Sequence, residues 1–151
     1  MTQAHILARM NEILSMLRAA LRTERSVRLA VLFGSTATGE DHEGSDIDLL
    51  VAHRNPEPLI LIRLRMRLRR ALDKPVDVVD LEQAEAMPTL LADVLSEGKV
   101  VVDRDGLWEG LCARRSEIDA AAQCEDRATM ERMWAAVEAA RERLAAAGTP
   151  S

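Results

Sequence analysis

Two apolar runs held apart by a polar segment constrain this chain more than any other feature. Val27-Arg28-Leu29-Ala30-Val31-Leu32-Phe33 stops at Gly34-Ser35, and Asp46-Ile47-Asp48-Leu49-Leu50-Val51-Ala52 follows after ten polar or small residues. Short, nearly continuous apolar runs bounded by turn residues read as strands buried inside a core. Residues 36–45 (TATGEDHEGS) carry Gly39 and Gly44 and almost no apolar surface, which predicts a short turn or helix and a loop.

The remaining pattern alternates helices with strands. Ile6, Leu7, Met10, Ile13, Leu14, Leu17 and Leu21 recur at helical spacing, so residues 4–22 form an amphipathic helix. Residues 59–72 alternate Leu, Ile or Met with Arg like a strand. The run is long, poor in β-branched residues and preceded by Pro58, and a helix is the better reading. Residues 76–81 are a third strand, 82–96 a helix ending at Gly98, and 99–103 a fourth strand. From Leu107 the composition turns to Ala, Glu and Arg, which predicts two helices over 107–121 and 126–147. The class is α/β (α+β), with about four strands and a C-terminal helical extension.

Composition narrows the function. The chain has no stretch of eighteen uncharged apolar residues, so no membrane-spanning helix is expected, and Arg9, Glu12 and Arg18 interrupt the first apolar run, which is unlike a secretory signal. Cys112 and Cys124 form neither a disulfide framework nor a zinc spacing and read as free thiols of a cytoplasmic protein. A net charge of −5 argues against direct nucleic-acid binding, which depends on neutralising phosphates. The arginines at 63, 65, 67, 69 and 70 read first as a solvated face, and second as a docking surface for an acidic partner or nucleotide phosphates.

The chemistry concentrates in Gly34-Ser35, ten residues, Asp46-Ile47-Asp48, and Asp77 on the next strand. A Gly-Ser turn leaving a buried strand lets backbone N–H groups approach a phosphate, and the Ser35 hydroxyl adds a donor. Asp46 and Asp48 are two apart on a strand, so both carboxylates leave the same face, roughly 7 Å apart along the chain. Such a pair, completed by Asp77, suits hard divalent cations that also take phosphate oxygens. Three carboxylates beside apolar strands have no evident structural purpose, because unpaired buried acids are costly.

The Gly34-Ser35-x₁₀-Asp46-Ile47-Asp48 pattern, flanked by Val31-Leu32-Phe33 and Leu49-Leu50-Val51, resembles the signature of the DNA polymerase β-like nucleotidyltransferase superfamily. The order of elements and the short length resemble its minimal nucleotidyltransferase (MNT) branch, over roughly residues 25–105. The resemblance implies a twisted mixed sheet flanked by helices. It also implies ATP or another NTP as donor and two Mg²⁺ ions held by Asp46, Asp48 and Asp77, with Gly34 and Ser35 at the nucleotide. Residues 1–105 would be the nucleotidyltransferase domain and 106–151 its helical extension. Many members of the branch are antitoxins that transfer AMP to a tyrosine of a HEPN-domain ribonuclease toxin, which implies a hetero-oligomer. This chain has no tyrosine, so a tyrosine acceptor must lie on another molecule.

Asp80 rivals Asp77, but three residues on it points to the other face of a strand. Thr36, Thr38, Glu40, His42 and His53 read as turn or solvent-facing residues. The sharper alternatives are His42 as a base, Thr38 as a phosphate contact and Arg54 as a triphosphate partner. Trp108 and Trp134 either pack on the α/β body or form a partner-binding face. The competing functions are an aminoglycoside- or lincosamide-type nucleotidyltransferase, disfavoured by the short C-terminal part, and a non-catalytic binding antitoxin.

Overall fold

Strand β1 (Val27–Phe33) is buried at every position but Arg28, because both of its faces are covered. In the computed structural model, which describes residues 2–39 and 46–148, it sits second from one edge of a four-stranded sheet. Around it run α1 (Gln3–Leu21), α2 (Ser35–Thr38), β2 (Ile47–His53), α3 (Pro58–Leu72), β3 (Val76–Asp80), α4 (Leu81–Glu85), α5 (Pro88–Glu97), β4 (Lys99–Asp103), α6 (Leu107–Ala113) and α7 (Arg115–Ala147). The order is β3-β2-β1-β4, with β1 antiparallel to β2 and β4, and β2 parallel to β3. That parallel pair needs a crossover, and α3 supplies it. No helix among the described residues is long and apolar enough to cross a membrane.

Strand alternation sorts the core into two layers. Ala30, Leu32, Ile47, Leu49, Val51 and Val76 meet Leu14 and Leu17 of α1 and Leu64 and Leu68 of α3 on one face. Leu29, Val31, Phe33, Leu50 and Ala52 meet Ala84, Leu91, Val94, Leu111 and Ile118 on the other. Val27 shares parity with Leu29 yet packs on the α1 face, because the register shifts between them. Arg104 holds the end of α1 to the sheet, donating to the carbonyls of Leu21 at 3.0 Å and Glu24 at 3.1 Å and to that of Val27. The Leu21 and Glu24 carbonyls also accept the N–H groups of Glu24 and Val27, so the guanidinium takes up their remaining acceptor capacity.

Three expectations change. The helix expected over 82–96 is two, α4 and α5, because Pro88 lacks an N–H and pushes Met87 out of helical geometry (φ −127°, ψ 75°). The C-terminal helices divide at Arg114 rather than between 121 and 126, since no glycine or proline interrupts residues 115–147. Arg114 reaches back to Glu85 with paired bonds of 2.8 and 3.0 Å. Gly98 follows a helix as expected, but its backbone is extended (φ −66°, ψ 146°), so a left-handed cap is not why it is glycine. A Cβ there would lie 2.3 Å from the Val94 carbonyl oxygen and 2.6 Å from Val31 Cγ1. Trp108 packs on the second core layer, whereas Trp134 is 64% exposed. The loop expected over 40–45, with Glu40, His42 and Gly44, lies outside the described residues, as do Thr149 and Pro150.

Gly98→Ala is therefore expected to lower the unfolding free energy by about 1–3 kcal/mol through overpacking, measured by urea denaturation.

Candidate active site

The end of β1 and the starts of β2, β3 and β4 meet at one end of the sheet, because β1 is antiparallel to β2 and β4 while β3 runs with β2. Asp46 immediately precedes β2, and Asp48 shares its parity with Leu50 and Ala52, which face the α4–α7 layer. The register places Asp48 beside Phe33 on one side and beside Asp77 on the other. Neighbouring strands are about 4.8 Å apart, so three carboxylates cluster on one face at one end of the sheet.

Gly34 is what makes room for them. It turns the chain out of β1 with a left-handed φ of 77°, and a Cβ on it would lie 2.4 Å from Asp48 Oδ2. The turn glycine and the acidic strand are thus one steric unit, with the carboxylate seated where a side chain would stand. Ser35 and Thr36 open the single turn of α2, so their N–H groups have no helical acceptor. Thr36 is buried, while the Thr38 hydroxyl is engaged with the Ser35 carbonyl at 3.2 Å, which favours its plain turn role.

Burial pushes the Asp48 carboxyl above the ordinary carboxylate range, and the negative charges of Asp77 and then Asp46 push it further. None of these three aspartates pairs with a cation or accepts a hydrogen bond from the described residues. Nor is any trio of His, Cys, Asp or Glu among the described residues already drawn into a tight metal cage. An uncompensated, partly desolvated acidic cluster of oxygen donors fits a hard divalent cation, which would draw the carboxylates together.

Asp80 is differently placed. It lies opposite Val51, is 4% exposed, and caps α4 by accepting the Glu82 N–H at 3.0 Å, with Gln83 completing a capping box. Burial raises its carboxyl, against which the backbone bond from Glu82 acts. His53 and Arg54 lie at the far end of β2. His53 Nδ1 accepts the Asn55 N–H at 2.9 Å, and Arg54 adds to the positive field around Asp105. The structure does not bring either to the aspartates. A cleft of about 380 Å³ at that far end is lined by Arg28, His53, Arg54, Asp80, Glu82 and Glu85. Its charges are largely taken up in place, Arg28 by Asp105 and Glu85 by Arg114.

The arginines of α3 mostly serve as a polar face: Arg67 pairs with Glu24, and Arg69 Nε donates to the Val76 carbonyl at 3.4 Å. Lys99 is a residue that sequence reasoning misses. Opposite Leu32 at the start of β4, it stands at the aspartate end but on the α1 face, away from the carboxylates, and lines, with Ile6, Met10, Thr38 and Gly39, a cleft of about 200 Å³ beside the Gly34 turn. Its only signal is a lone lysine opening an apolar strand, which alternation arguments pass over.

The family described as Polymerase beta, Nucleotidyltransferase matches residues 16–106. Protein adenylyltransferase MntA of Shewanella oneidensis is 36% identical over 90 residues, which cover 59% of this chain and 61% of that protein. The chain thus matches less than two thirds of that relative's length. A crystal structure of a toxin-antitoxin with AMP-PNP superposes with a TM-score of 0.67 at 27% identity, covering 80% of this chain and 98% of the other. A structure of a tri-AMPylated Shewanella oneidensis HEPN toxin in complex with MNT antitoxin superposes with a TM-score of 0.58 at 25% identity, covering 85% and 98%. With the sheet, the acidic cluster and the Gly-Ser turn all inside the matched span, this chain belongs to the polymerase beta nucleotidyltransferase family.

Proposed function

We propose that this chain is a protein adenylyltransferase that moves AMP from ATP to a tyrosine hydroxyl of a HEPN-domain toxin and so acts as its antitoxin. The observation that carries the reading is the cluster of Asp46, Asp48 and Asp77 at the Gly34 turn, with Asp48 seated against Gly34 and partly desolvated, and with no counter-cation among the described residues. The relatives support the acceptor class: one is named a protein adenylyltransferase, and another structure pairs an AMPylated HEPN toxin with MNT antitoxin.

Each part of the site then has a role. Asp46 and Asp48 would hold two magnesium ions with Asp77 as the third ligand. Magnesium, when bound, neutralises the carboxylates and the triphosphate and polarises the phosphoryl oxygens. Gly34 and Ser35 present backbone N–H groups and a hydroxyl to the phosphates, at a point where no Cβ intervenes. Asp77, on the edge strand beside Asp48, is open to an incoming acceptor and takes its proton. The acceptor oxygen bonds to the α-phosphorus, the bond from that phosphorus to the bridging oxygen breaks, and pyrophosphate leaves.

Co-expression with the HEPN-domain partner should add mass increments of whole AMP units to that partner. Asp46→Asn with Asp48→Asn should abolish them, a loss of roughly a thousandfold or more in rate, read by intact-mass spectrometry. Unchanged increments in that variant would sink the assignment of the acidic pair. Asp77→Asn should impair transfer as strongly. Asp80→Asn should retain it, and Asp80→Ala should cost about 1 kcal/mol of stability through the lost cap.

The charge cluster also predicts a pH dependence. The folded Asp48 carboxyl titrates above its ordinary value of 3.8, so its contribution to stability is present at low pH and is lost as pH rises through the folded value. In chelator, Asp48→Asn should therefore unfold at higher urea than the parent at neutral pH, with the gap closing toward about pH 4. Magnesium should narrow the neutral-pH gap by stabilising the parent. Equal stabilities at both ends of the range would refute this electrostatic account.

A further inference from the structure

Helix α7 outruns the body it grows from. Ile118 and Ala122 are buried, and Asp126 accepts the Thr89 hydroxyl at 3.0 Å. From Arg127 to Gly148 every side chain is exposed except the half-buried Ala128 and Ala140. Residues 127–147 thus form an arm about 30 Å long. The arm carries a stripe of Met130, Met133, Trp134, Val137 and Leu144, exposed by 56, 62, 64, 49 and 74%. An apolar stripe of this length in water is a surface built for covering.

The stripe has a strict seven-residue period. Met130, Val137 and Leu144 are seven apart, as are Met133, Ala140 and Ala147, which are the a and d positions of a coiled coil. We propose that the arm pairs with the arm of a second copy of this chain, running antiparallel. Side-chain volume selects the orientation. Head-to-tail pairing sets Met130 against Ala147, Val137 against Ala140 and Met133 against Leu144, so large residues meet small ones in the outer and central layers. Parallel pairing stacks two methionines on two methionines at one end and leaves alanine against alanine at the other, an uneven seam with a void.

Charge selects the same orientation. Trp134 and Arg141 share the e position, and antiparallel helices bring e to e, placing each Arg141 guanidinium near the other copy's Trp134 ring. Glu131, Glu138 and Glu142 lie on the outer side of the helix, away from the seam. Antiparallel arms also keep the two bodies of this net-negative chain at opposite ends of the pair. The arm lies beyond the family-matched residues 16–106, and the inference does not depend on the activity proposed above.

The test is sedimentation of the full chain over a range of concentrations, beside Met133→Glu with Val137→Glu, whose positions are exposed and whose fold should persist by circular dichroism. The parent should reach twice the chain mass, and the variant should weaken association by roughly a hundredfold or more. Orientation is read by disulfide trapping in a Cys112→Ser, Cys124→Ser background, mixing a Met130→Cys chain with an Ala147→Cys chain. Cross-links between positions 130 and 147 support the antiparallel arm, and predominant 130–130 and 147–147 links overturn it. A parent monomeric at every concentration, or a dimer that survives the double variant, overturns the pairing altogether.

Discussion

A carboxylate seated where glycine leaves room for it ties the turn, the sheet register and the acidic cluster together. Gly34 has the left-handed backbone that ends β1, and Asp48 Oδ2 occupies the space its Cβ would need. Phe33 pairs with Asp48 across the β1–β2 ladder, so the contact fixes that ladder at the end where the acidic cluster lies. A slip of one residue would move Asp48 to the α1 face and drive Leu49 and Val51 out of their layer. Burial of β1 on both faces makes such a slip costly along the entire strand, and the site inherits its precision from the core.

The same seating has an electrostatic cost. Asp48 is desolvated by its position and repelled by Asp77 and Asp46, and no cation among the described residues relieves it. An uncharged residue would spare the fold this repulsion at Asp48. The sheet tolerates the charges because they sit at its end, where the paired strands on either side of β1 and both helical layers continue without them. Asp80 shows how the chain treats an acid that serves the fold. It is nearly fully buried, yet it is answered by the Glu82 N–H and the α4 capping box. The satisfied Asp80 and the cluster's Asp77 lie on one strand, three residues apart.

Much of this was legible in the sequence because the informative signals are local. Short, nearly continuous apolar runs mark β1, β2 and β4 and a period of 3.6 residues marks α1, and Pro58 with the Leu/Arg composition settles α3 as helix although its alternation mimics a strand. Asp46, Asp48 and Asp77 emerge from spacing plus strand parity, and the register then sets Asp48 beside Asp77. What escaped needed information that spacing does not hold. The break at Pro88 is masked by the apolar periodicity on either side of it, and the Arg114 boundary rests on a contact with Glu85 twenty-nine positions away. Gly98 is glycine because Val31 and the Val94 carbonyl crowd it, which no local pattern encodes. Lys99 reaches the aspartate end of the sheet, on its α1 face, only through the pairing of β4 with β1.

The arm of α7 follows a different physical logic from the rest of the chain. Its first turns are held by α5 and by Asp126, but the remaining residues have no layer to bury against, so tertiary packing cannot be what keeps them helical. Intrinsic propensity does part of that work, since Ala, Glu, Arg, Met and Leu fill nearly every position from 130 to 147. Propensity alone, however, would be satisfied by any alanine-rich polar sequence. It does not call for Met130, Val137 and Leu144 on a seven-residue period, or for a tryptophan held in water beside them. Those residues lower solubility in an isolated helix and add nothing to the sheet or the aspartates. Their placement makes sense only if the exposed stripe is a surface in its own right, energetically separate from the core that builds the acidic cluster.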